Sequence, residues 1–203
     1  MVSSRRALTH LRRSDPVLAA IIDRVGPFRI EYREPSFETL SRSIVYQQLS
    51  GRVARVIFGR LADALPNGFT PEAILKLRPL RMRALGLSAQ KTAYIRELAS
   101  HTRRGSVVFE DLPGLPDADV IAMLTQVKGI GVWTAPMFLM FALQRPDILP
   151  VADLGIRSAI RQAYGLQELP KAGEVERIAQ PWRPYRTAAC WYLWRSLDGG
   201  AEI

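Results

Sequence analysis

The stretch "VKGIGVWTA", from Val127 to Ala135, decides the fold. Its two glycines, Gly129 and Gly131, flank one isoleucine. The segments on either side, "PDADVIAMLTQV" and "VWTAPMFLMFAL", carry the apolar spacing of helices. Glycine permits the left-handed backbone of a tight turn and lets the chain approach a ligand closely. The pattern therefore predicts a helix, a short turn and a second helix.

A nucleotide cofactor fits this turn poorly. A dinucleotide fingerprint needs a third glycine after a strand, and the position three after Gly131 is Thr134. A Walker loop needs Lys and then Ser or Thr at once after its last glycine, and Val132 stands there. We expect the turn and the amides that begin the second helix to hold a phosphate independently of any base sequence, with Lys128 adding charge. An ordinary helix–helix turn is the alternative.

The composition of the chain limits the classes of binding partner and of metal or disulfide site that it can have. The 203 residues include 28 Lys and Arg against 19 Asp and Glu, a net charge of +9 that favours a polyanion such as nucleic acid. One cysteine, Cys190, excludes a disulfide framework or a multi-cysteine metal site within one chain. No segment resembles a signal peptide or is apolar enough to span a bilayer. We expect a cytoplasmic protein, nucleoid-associated if bacterial, with no membrane partner.

Helix signals dominate the rest of the chain. The apolar residues of "SFETLSRSIVYQQLS" recur at helical spacings and predict one apolar stripe, formed by Phe37, Leu40, Ile44 and Leu49. The stretch "SAQKTAYIRELASHT" predicts a helix that begins at Ser88. Asp15 and Pro16 predict a helix start and Gly26 its end, and Thr70 with Pro71 predicts another start. Strand-like alternation is confined to "GSVVFEDL", at 105–112. Neither a repeat nor a low-complexity linker is evident. We predict an all-α fold of about ten helices in a single domain, 1–203, with a helix-hairpin-helix at about 117–144.

A second stretch, "LPVADLGIRSAI", places Asp153 directly before a helix with apolar residues at Leu154, Ile156 and Ile160. The simplest interpretation is that Asp153 caps that helix. A capping carboxylate is held rigidly at the positive end of the helix dipole. It can also face a cleft and stabilise positive charge, so the two roles are compatible.

Four segments in order resemble the helix-hairpin-helix DNA glycosylases, and most of all their AlkA-like, alkylation-repair 3-methyladenine DNA glycosylase II branch. They are "IVYQQLSGRVA", "GLSAQKTAYIRELA", "LTQVKGIGVWTAPMFLMFAL" with "LPVADLGIRSAIRQAYG", and "PWRPYRTAACWYLW". The resemblance covers about residues 15–197. No single motif is decisive, but four in the right order are strong evidence.

The resemblance implies two helical subdomains around a DNA-binding cleft, a hairpin (Lys128, Gly129, Ile130, Gly131) that grips the DNA backbone, and Asp153 as the catalytic group. It also implies a structural monovalent cation, Na⁺ or K⁺, held with DNA by main-chain carbonyls of Thr125, Val127 and Gly129. No other cofactor is expected. The longer members have an extra N-terminal domain that supplies a pocket aromatic. This chain has no room for that domain, so we expect a more open pocket.

The resemblance further implies a pocket for a flipped base, lined by Trp133 and Trp191. Both could equally be core residues, Trp191 above all. Met137 stands where the family often has an aromatic, which leaves the substrate range open. Gln48 occupies the position from which a side chain is inserted into the duplex, whereas Gln47 is expected to face the helix junction. A polar pair that satisfies backbone groups at a helix end is the alternative for both glutamines.

These features predict a monofunctional DNA N-glycosylase that hydrolyses alkylated bases from double-stranded DNA as a monomer. Glycosylases that also cleave the backbone have a nucleophilic lysine at the position of Trp133, and tryptophan cannot form that Schiff base. Asp153 would activate water, stabilise the oxocarbenium-like sugar, or do both. The alternatives are a non-catalytic helix-hairpin-helix module, a bifunctional lyase, or an all-α protein-interaction domain. The lesion stays open among 3-methyladenine, 7-methylguanine, ethenoadenine, hypoxanthine and 1-methyladenine.

Overall fold

The computed structural model describes residues 4–197, and this part of the chain is helical, with no β-strand. Its twelve α-helices are α1 (Ser4–Ser14), α2 (Pro16–Val25), α3 (Phe37–Tyr46), α4 (Gly51–Asp63), α5 (Pro71–Lys76), α6 (Pro79–Ala84), α7 (Ala89–Arg103), α8 (Asp117–Thr125), α9 (Thr134–Phe141), α10 (Leu154–Ala163), α11 (Ala172–Ala179) and α12 (Arg186–Ser196). Short 3₁₀ turns occur at Leu112–Gly114 and Gln180–Trp182. The predicted all-α class is confirmed.

The chain forms two compact units. Unit 2 is continuous, from Arg33 to Leu143, and unit 1 combines the segments on either side of it, residues 4–32 and 144–197 among those described. Helices α3–α9 therefore belong to unit 2, and α1, α2 and α10–α12 belong to unit 1.

Unit 2 is built on α3 and α7, which pack against each other. Helix α3 begins after Ser36, whose side chain accepts the Thr39 amide, and it buries Phe37, Leu40 and Ile44 on one face, as the spacing predicted. Helix α7 begins after the predicted Ser88 and packs on α5 and α6. Helices α8 and α9 pack as a pair, and α9 also contacts α3. This arrangement holds the glycine turn between α8 and α9 against the end of α3.

Unit 1 is centred on α12, which is buried along most of its length and packs against α2 and α10. The predicted cap of α2 is present: Asp15 Oδ1 accepts the amides of Val17 and Leu18. Its Oδ2 accepts the Tyr164 hydroxyl at 2.5 Å and the Trp182 indole N–H at 2.7 Å. Asp15 is buried, so these bonds satisfy a carboxylate that would otherwise be costly to bury.

The structure resolves one weak strand candidate and corrects one helix prediction. Residues 105–112 form turns and not a strand, and the alternation arises because Val107, Phe109 and Leu112 are buried while the residues between them are not. Leu49 lies beyond the end of α3 and is exposed, so it does not extend the apolar stripe. In the described residues, no helix is both long and apolar enough to cross a membrane.

Candidate functional site

The predicted hairpin is present in unit 2 as α8, a turn over 126–133, and α9. Val127 and Ile130 are buried and anchor the turn, whereas Lys128 and Gly131 are exposed. Gly129 has a φ of +100°, and a Cβ built there would overlap the ring of Tyr94 on α7. The turn therefore lies directly on an aromatic side chain. Only glycine permits both this backbone and this contact.

A glutamine fixes the turn to the end of α3. Gln47 Nε2 donates to the carbonyl oxygen of Gly129 at 2.9 Å and to Thr134 Oγ1 at 2.9 Å. Lys91 Nζ donates to the carbonyl oxygens of Val45 at 2.5 Å and Gln47 at 2.6 Å. Lys91 thus neutralises the negative end of the α3 dipole. Burial lowers the pKa of Lys91, since desolvation disfavours its charged form.

Gln48 follows in the turn between α3 and α4. It is exposed and has a φ of +57°, an uncommon backbone for a residue other than glycine. Such strained positions persist where the surrounding structure fixes them, and the Gln47 and Lys91 contacts do so here. The two glutamines therefore differ as expected: Gln47 binds the helix junction, and Gln48 is exposed.

A cavity of about 580 Å³ opens between the α3–α4 turn, α7 and the hairpin. Its lining contains much of the predicted set within unit 2: Gln48, Gly129, Ile130, Gly131 and Trp133, together with Gln47, Gln90, Lys91, Tyr94, Val132 and Thr134. Trp133, directly before α9, is 39% exposed, so its ring is accessible from this cavity. Met137 is buried one turn further along α9 and is not part of the lining.

In unit 1, Asp153 caps α10 as predicted, and its Oδ1 accepts the Ile156 amide at 2.8 Å. The same oxygen accepts the indole N–H of Trp194, on α12, at 2.8 Å. Asp153 is 8% exposed, which is nearly complete burial for a carboxylate. Two donors and the positive end of a helix dipole offset the cost of burying its charge.

Trp191 lies one turn before Trp194 on α12 and is 7% exposed. Its ring meets the edge of Phe28 at a centroid distance of 5.0 Å, and the Arg195 guanidinium lies 5.5 Å from its centroid. The indole is therefore surrounded by protein groups in this structure. Its place in a base pocket stays a prediction.

Other polar groups around the site are held by structural contacts. Arg183 and Arg186 both bind Asp147, at 3.0 and 2.6 Å, and Arg157 donates to the Pro170 carbonyl. These contacts favour structural roles for the three arginines. Cys190 is fully buried, and burial raises its thiol pKa, so a reactive thiolate is disfavoured.

The metal-binding potential of the site is confined to backbone oxygens. The described residues contain no cluster of three or more His, Cys, Asp or Glu side chains that could hold a metal ion. Of the three predicted carbonyls, that of Val127 accepts the Ile130 amide at 3.0 Å and that of Gly129 accepts Gln47. A carbonyl oxygen has two lone pairs, so a cation would share these oxygens with the hydrogen bonds. Neutral oxygens suit a hard monovalent cation. These carbonyls can therefore hold one, provided that it shares their oxygens with the existing hydrogen bonds.

Sequence reasoning missed three contributors: the Trp194 contact to Asp153, the Tyr94 ring beneath Gly129, and the Lys91 cap on α3. Each joins residues more than 30 positions apart, so periodicity could not reveal it. The paired glutamines before Ser50 were the best available signal for the α3 junction.

An exposed glycine turn between two helices, in an all-helical chain with a strong basic surplus, defines a helix-hairpin-helix protein. The family described as "HhH-GPD superfamily base excision DNA repair protein" matches residues 41–184, about seven tenths of the chain. The DNA-3-methyladenine glycosylase 1 of Schizosaccharomyces pombe is 36% identical over 203 residues, with 97% of this chain and 89% of the relative covered.

Solved structures agree with this match. A 3-methyladenine DNA glycosylase of S. pombe in complex with abasic DNA has a TM-score of 0.85 at 36% identity, covering 94% of this chain and 95% of that chain. A DNA-3-methyladenine glycosidase from Bacillus halodurans has a TM-score of 0.84 at 34% identity, covering 97% and 91%. The chain therefore belongs to the HhH-GPD superfamily of base excision DNA repair proteins. It is a DNA glycosylase that hydrolyses N-glycosidic bonds, and not a non-catalytic DNA-binding module.

Proposed function

We propose that this glycosylase removes alkylated bases, such as 3-methyladenine, from damaged double-stranded DNA, with Asp153 as its catalytic carboxylate. The observation that carries the proposal is the state of Asp153: a nearly buried anion, fixed by the α10 amide and the Trp194 indole. A negative charge preorganised in a low-dielectric site stabilises positive charge far better than one in water. The similarity to 3-methyladenine glycosylases supports the substrate class.

The chemistry follows from the charge of the substrate. As the bond between C1′ and the base nitrogen breaks, its electron pair leaves with the base and the sugar gains oxocarbenium character. A base alkylated at a ring nitrogen is cationic and becomes neutral on leaving, so no general acid is needed. Water adds to C1′ and loses a proton. We propose that Asp153 stabilises the sugar cation and accepts or directs that proton.

Access to C1′ requires the damaged nucleotide to be flipped out of the duplex. We propose that Gln48 fills the space left in the stack, because it is exposed at the tip of a rigid turn. We propose that Trp133 stacks on the flipped base, since an indole face attracts a cationic ring. For Trp191 and Met137 we propose contact with the flipped base from their positions in the motifs alone. The hairpin backbone from Lys128 to Gly131 would bind phosphates beside the lesion.

The most direct test uses duplex DNA treated with a methylating agent and identifies the released bases by mass. We expect release of methylated purines by the wild-type protein and release at least about a hundredfold slower by Asp153→Asn. Absence of release by the wild type would overturn the substrate class. Equal release by Asp153→Asn would remove Asp153 from the chemistry.

We also propose that water is the only nucleophile. Trp133 cannot form an imine with the sugar, and Lys91, which lines the cavity, already donates to two carbonyls. Borohydride added during turnover reduces an imine to a permanent protein–DNA adduct. We expect no such adduct on denaturing gels, and an adduct that Lys91→Gln abolishes would establish a lyase instead.

We propose that the main-chain carbonyls of Thr125, Val127 and Gly129 would hold a Na⁺ or K⁺ ion when DNA is bound, and that the ion would supply positive charge for a DNA phosphate. No step of the bond cleavage uses this ion. Affinity for abasic duplex would be measured in K⁺, Na⁺ and tetramethylammonium at one ionic strength. We expect weaker binding in tetramethylammonium, whose size excludes it from a carbonyl site, and equal affinities would refute the cation.

We further propose that the protein acts as a monomer in the cytoplasm, on the nucleoid if the source is bacterial. Sedimentation at micromolar concentration should then give a single species near 22.8 kDa. A dimer would contradict the proposal.

A further inference from the structure

The indole N–H of Trp194 is hydrogen-bonded to the Asp153 carboxylate. It donates to Oδ1 at 2.8 Å, the same oxygen that accepts the Ile156 amide. Asp153 begins α10 and Trp194 lies on α12, so the bond connects the two helices that pack together there. The carboxylate is thereby restrained from two directions.

The backbone of α10 makes room for this contact. A Cβ built on Gly155 would lie 2.9 Å from Trp194 Cδ1, 3.1 Å from Trp194 Nε1 and 3.1 Å from Asp153 Oδ1. Gly155 is helical without a positive φ, so its backbone does not require glycine. Its small size instead lets the indole reach the carboxylate.

A second aspartate in unit 1 provides an internal comparison. Asp15 also caps a helix and also accepts an indole N–H, from Trp182 at 2.7 Å. Its two oxygens take four donors, the amides of Val17 and Leu18, the Tyr164 hydroxyl and the Trp182 indole. Asp15 and Trp182 therefore form a structural carboxylate–tryptophan pair in the same unit, with which the Asp153–Trp194 pair can be compared.

We infer that Trp194 is a positioning residue for Asp153, and that Gly155 is glycine so that the indole can make this contact. The inference rests on the proposed role of Asp153. A hydrogen bond from a neutral donor to a carboxylate is short and strong, and it fixes the carboxylate plane as well as its place. A side-chain torsion held in this way keeps the negative charge aimed at one point.

The test compares single-turnover rates of base release on a duplex with one 7-methylguanine, at saturating protein. Trp194→Phe keeps an aromatic ring but removes the N–H, and we expect its rate to fall about tenfold, as for loss of one charge-assisted hydrogen bond. Its affinity for abasic duplex should be unchanged. Gly155→Ala displaces the indole from the opposite side and should lower the rate to a similar degree.

Trp182→Phe is the matched control. It removes the same kind of bond from Asp15, so it should lower the melting temperature while the folded protein keeps the wild-type rate. In the Asp153→Asn background, Trp194→Phe should change the residual rate by less than about twofold, because a residue that acts through Asp153 has nothing further to lose.

The outcomes separate the inference from the function on which it rests. If Asp153→Asn is inactive but Trp194→Phe has the wild-type rate, the inference is overturned and the proposed function stands. A full tenfold loss in the Asp153→Asn background would also overturn it, since it shows a role independent of the carboxylate. An active Asp153→Asn variant would overturn both.

If Trp194→Phe does not fold, a spectroscopic measurement on other variants still tests the inference. The four tryptophans give four indole N–H signals in a ¹⁵N correlation spectrum. The Trp194 signal, identified by elimination with single Phe substitutions of the other three tryptophans, should move in Asp153→Asn and stay in Trp182→Phe. An unmoved signal in Asp153→Asn would overturn the inference.

Discussion

Replacement of Gly129 by alanine should destabilise the protein through two effects at one atom. Gly129 has a φ of +100°, a backbone that residues with a Cβ seldom adopt. Its Cβ would also overlap the Tyr94 ring, so the turn or the ring must move. Gly131, two residues later in the same turn, has neither feature, because no heavy atom lies within 4 Å of its built Cβ.

The size of the effect follows from these contacts. A left-handed backbone costs a non-glycine residue about 1–2 kcal/mol, and displacement of the ring adds to it, so we expect a loss of at least about 2 kcal/mol. For a chain of this length each kcal/mol lowers the melting temperature by about 2–4 °C. Gly129→Ala should therefore melt about 4–8 °C below the wild type, and Gly131→Ala within about 1 °C of it.

Differential scanning calorimetry of the two variants measures their melting temperatures directly. Fluorescence anisotropy with abasic duplex measures how strongly the hairpin binds DNA. Gly129→Ala should also bind DNA more weakly, since a displaced turn presents its amides differently. A Gly129→Ala protein as stable as the wild type, or a Gly131→Ala protein equally destabilised, would refute the reasoning. If a stable Gly131→Ala protein binds DNA more weakly, the DNA backbone comes close to Gly131.

Two further predictions concern stability. Gln47→Ala should cost about 1–3 kcal/mol in urea unfolding, because two hydrogen bonds are lost, whereas the exposed Gln48→Ala should stay within about 0.5 kcal/mol; equal effects would contradict the separate roles of the two glutamines. Stability should fall as pH rises above 9.0, the ordinary pKa of a thiol, because burial raises the pKa of Cys190 and only the unfolded chain ionises there. Tyr164, whose pKa burial also raises from 10.0, adds to the fall at higher pH. Burial lowers the pKa of Lys91, so this group makes stability rise with pH and opposes the thiol. The difference in the slope of stability against pH between the wild type and Cys190→Ala therefore isolates the thiol, which contributes at most about 1.4 kcal/mol per pH unit. An unchanged slope in Cys190→Ala would contradict that contribution.

Local signals in the sequence were sufficient for much of the fold. Asp15, Thr70, Ser88 and Asp153 were all predicted at helix starts, and each side chain accepts a backbone amide of the helix that it begins. Capping depends on residues within three positions, so one sequence contains all the information it needs. The strand-like alternation at 105–112 belongs to turns, because a partly buried loop can mimic the alternation of a strand.

The contacts that complete the candidate site required the tertiary structure. The Trp194 bond to Asp153 depends on how α10 and α12 pack, and the Gln47 bond to Gly129 spans 82 positions. The sequence predicted Trp191 for the base pocket because of its position in a motif, yet it contained no sign of the Phe28 and Arg195 contacts. Side-chain neighbours of this kind follow from helix packing, which periodicity alone does not determine.

The central claim is that the charge of Asp153 drives hydrolysis. Asparagine preserves the cap of α10 and the acceptor for Trp194, so Asp153→Asn changes the charge with little change in shape. The decisive measurement is the single-turnover rate of base release from a duplex with one 7-methylguanine, alongside affinity for abasic duplex. We predict a rate at least about a hundredfold below the wild type at comparable affinity. A rate within about threefold of the wild type would contradict the account.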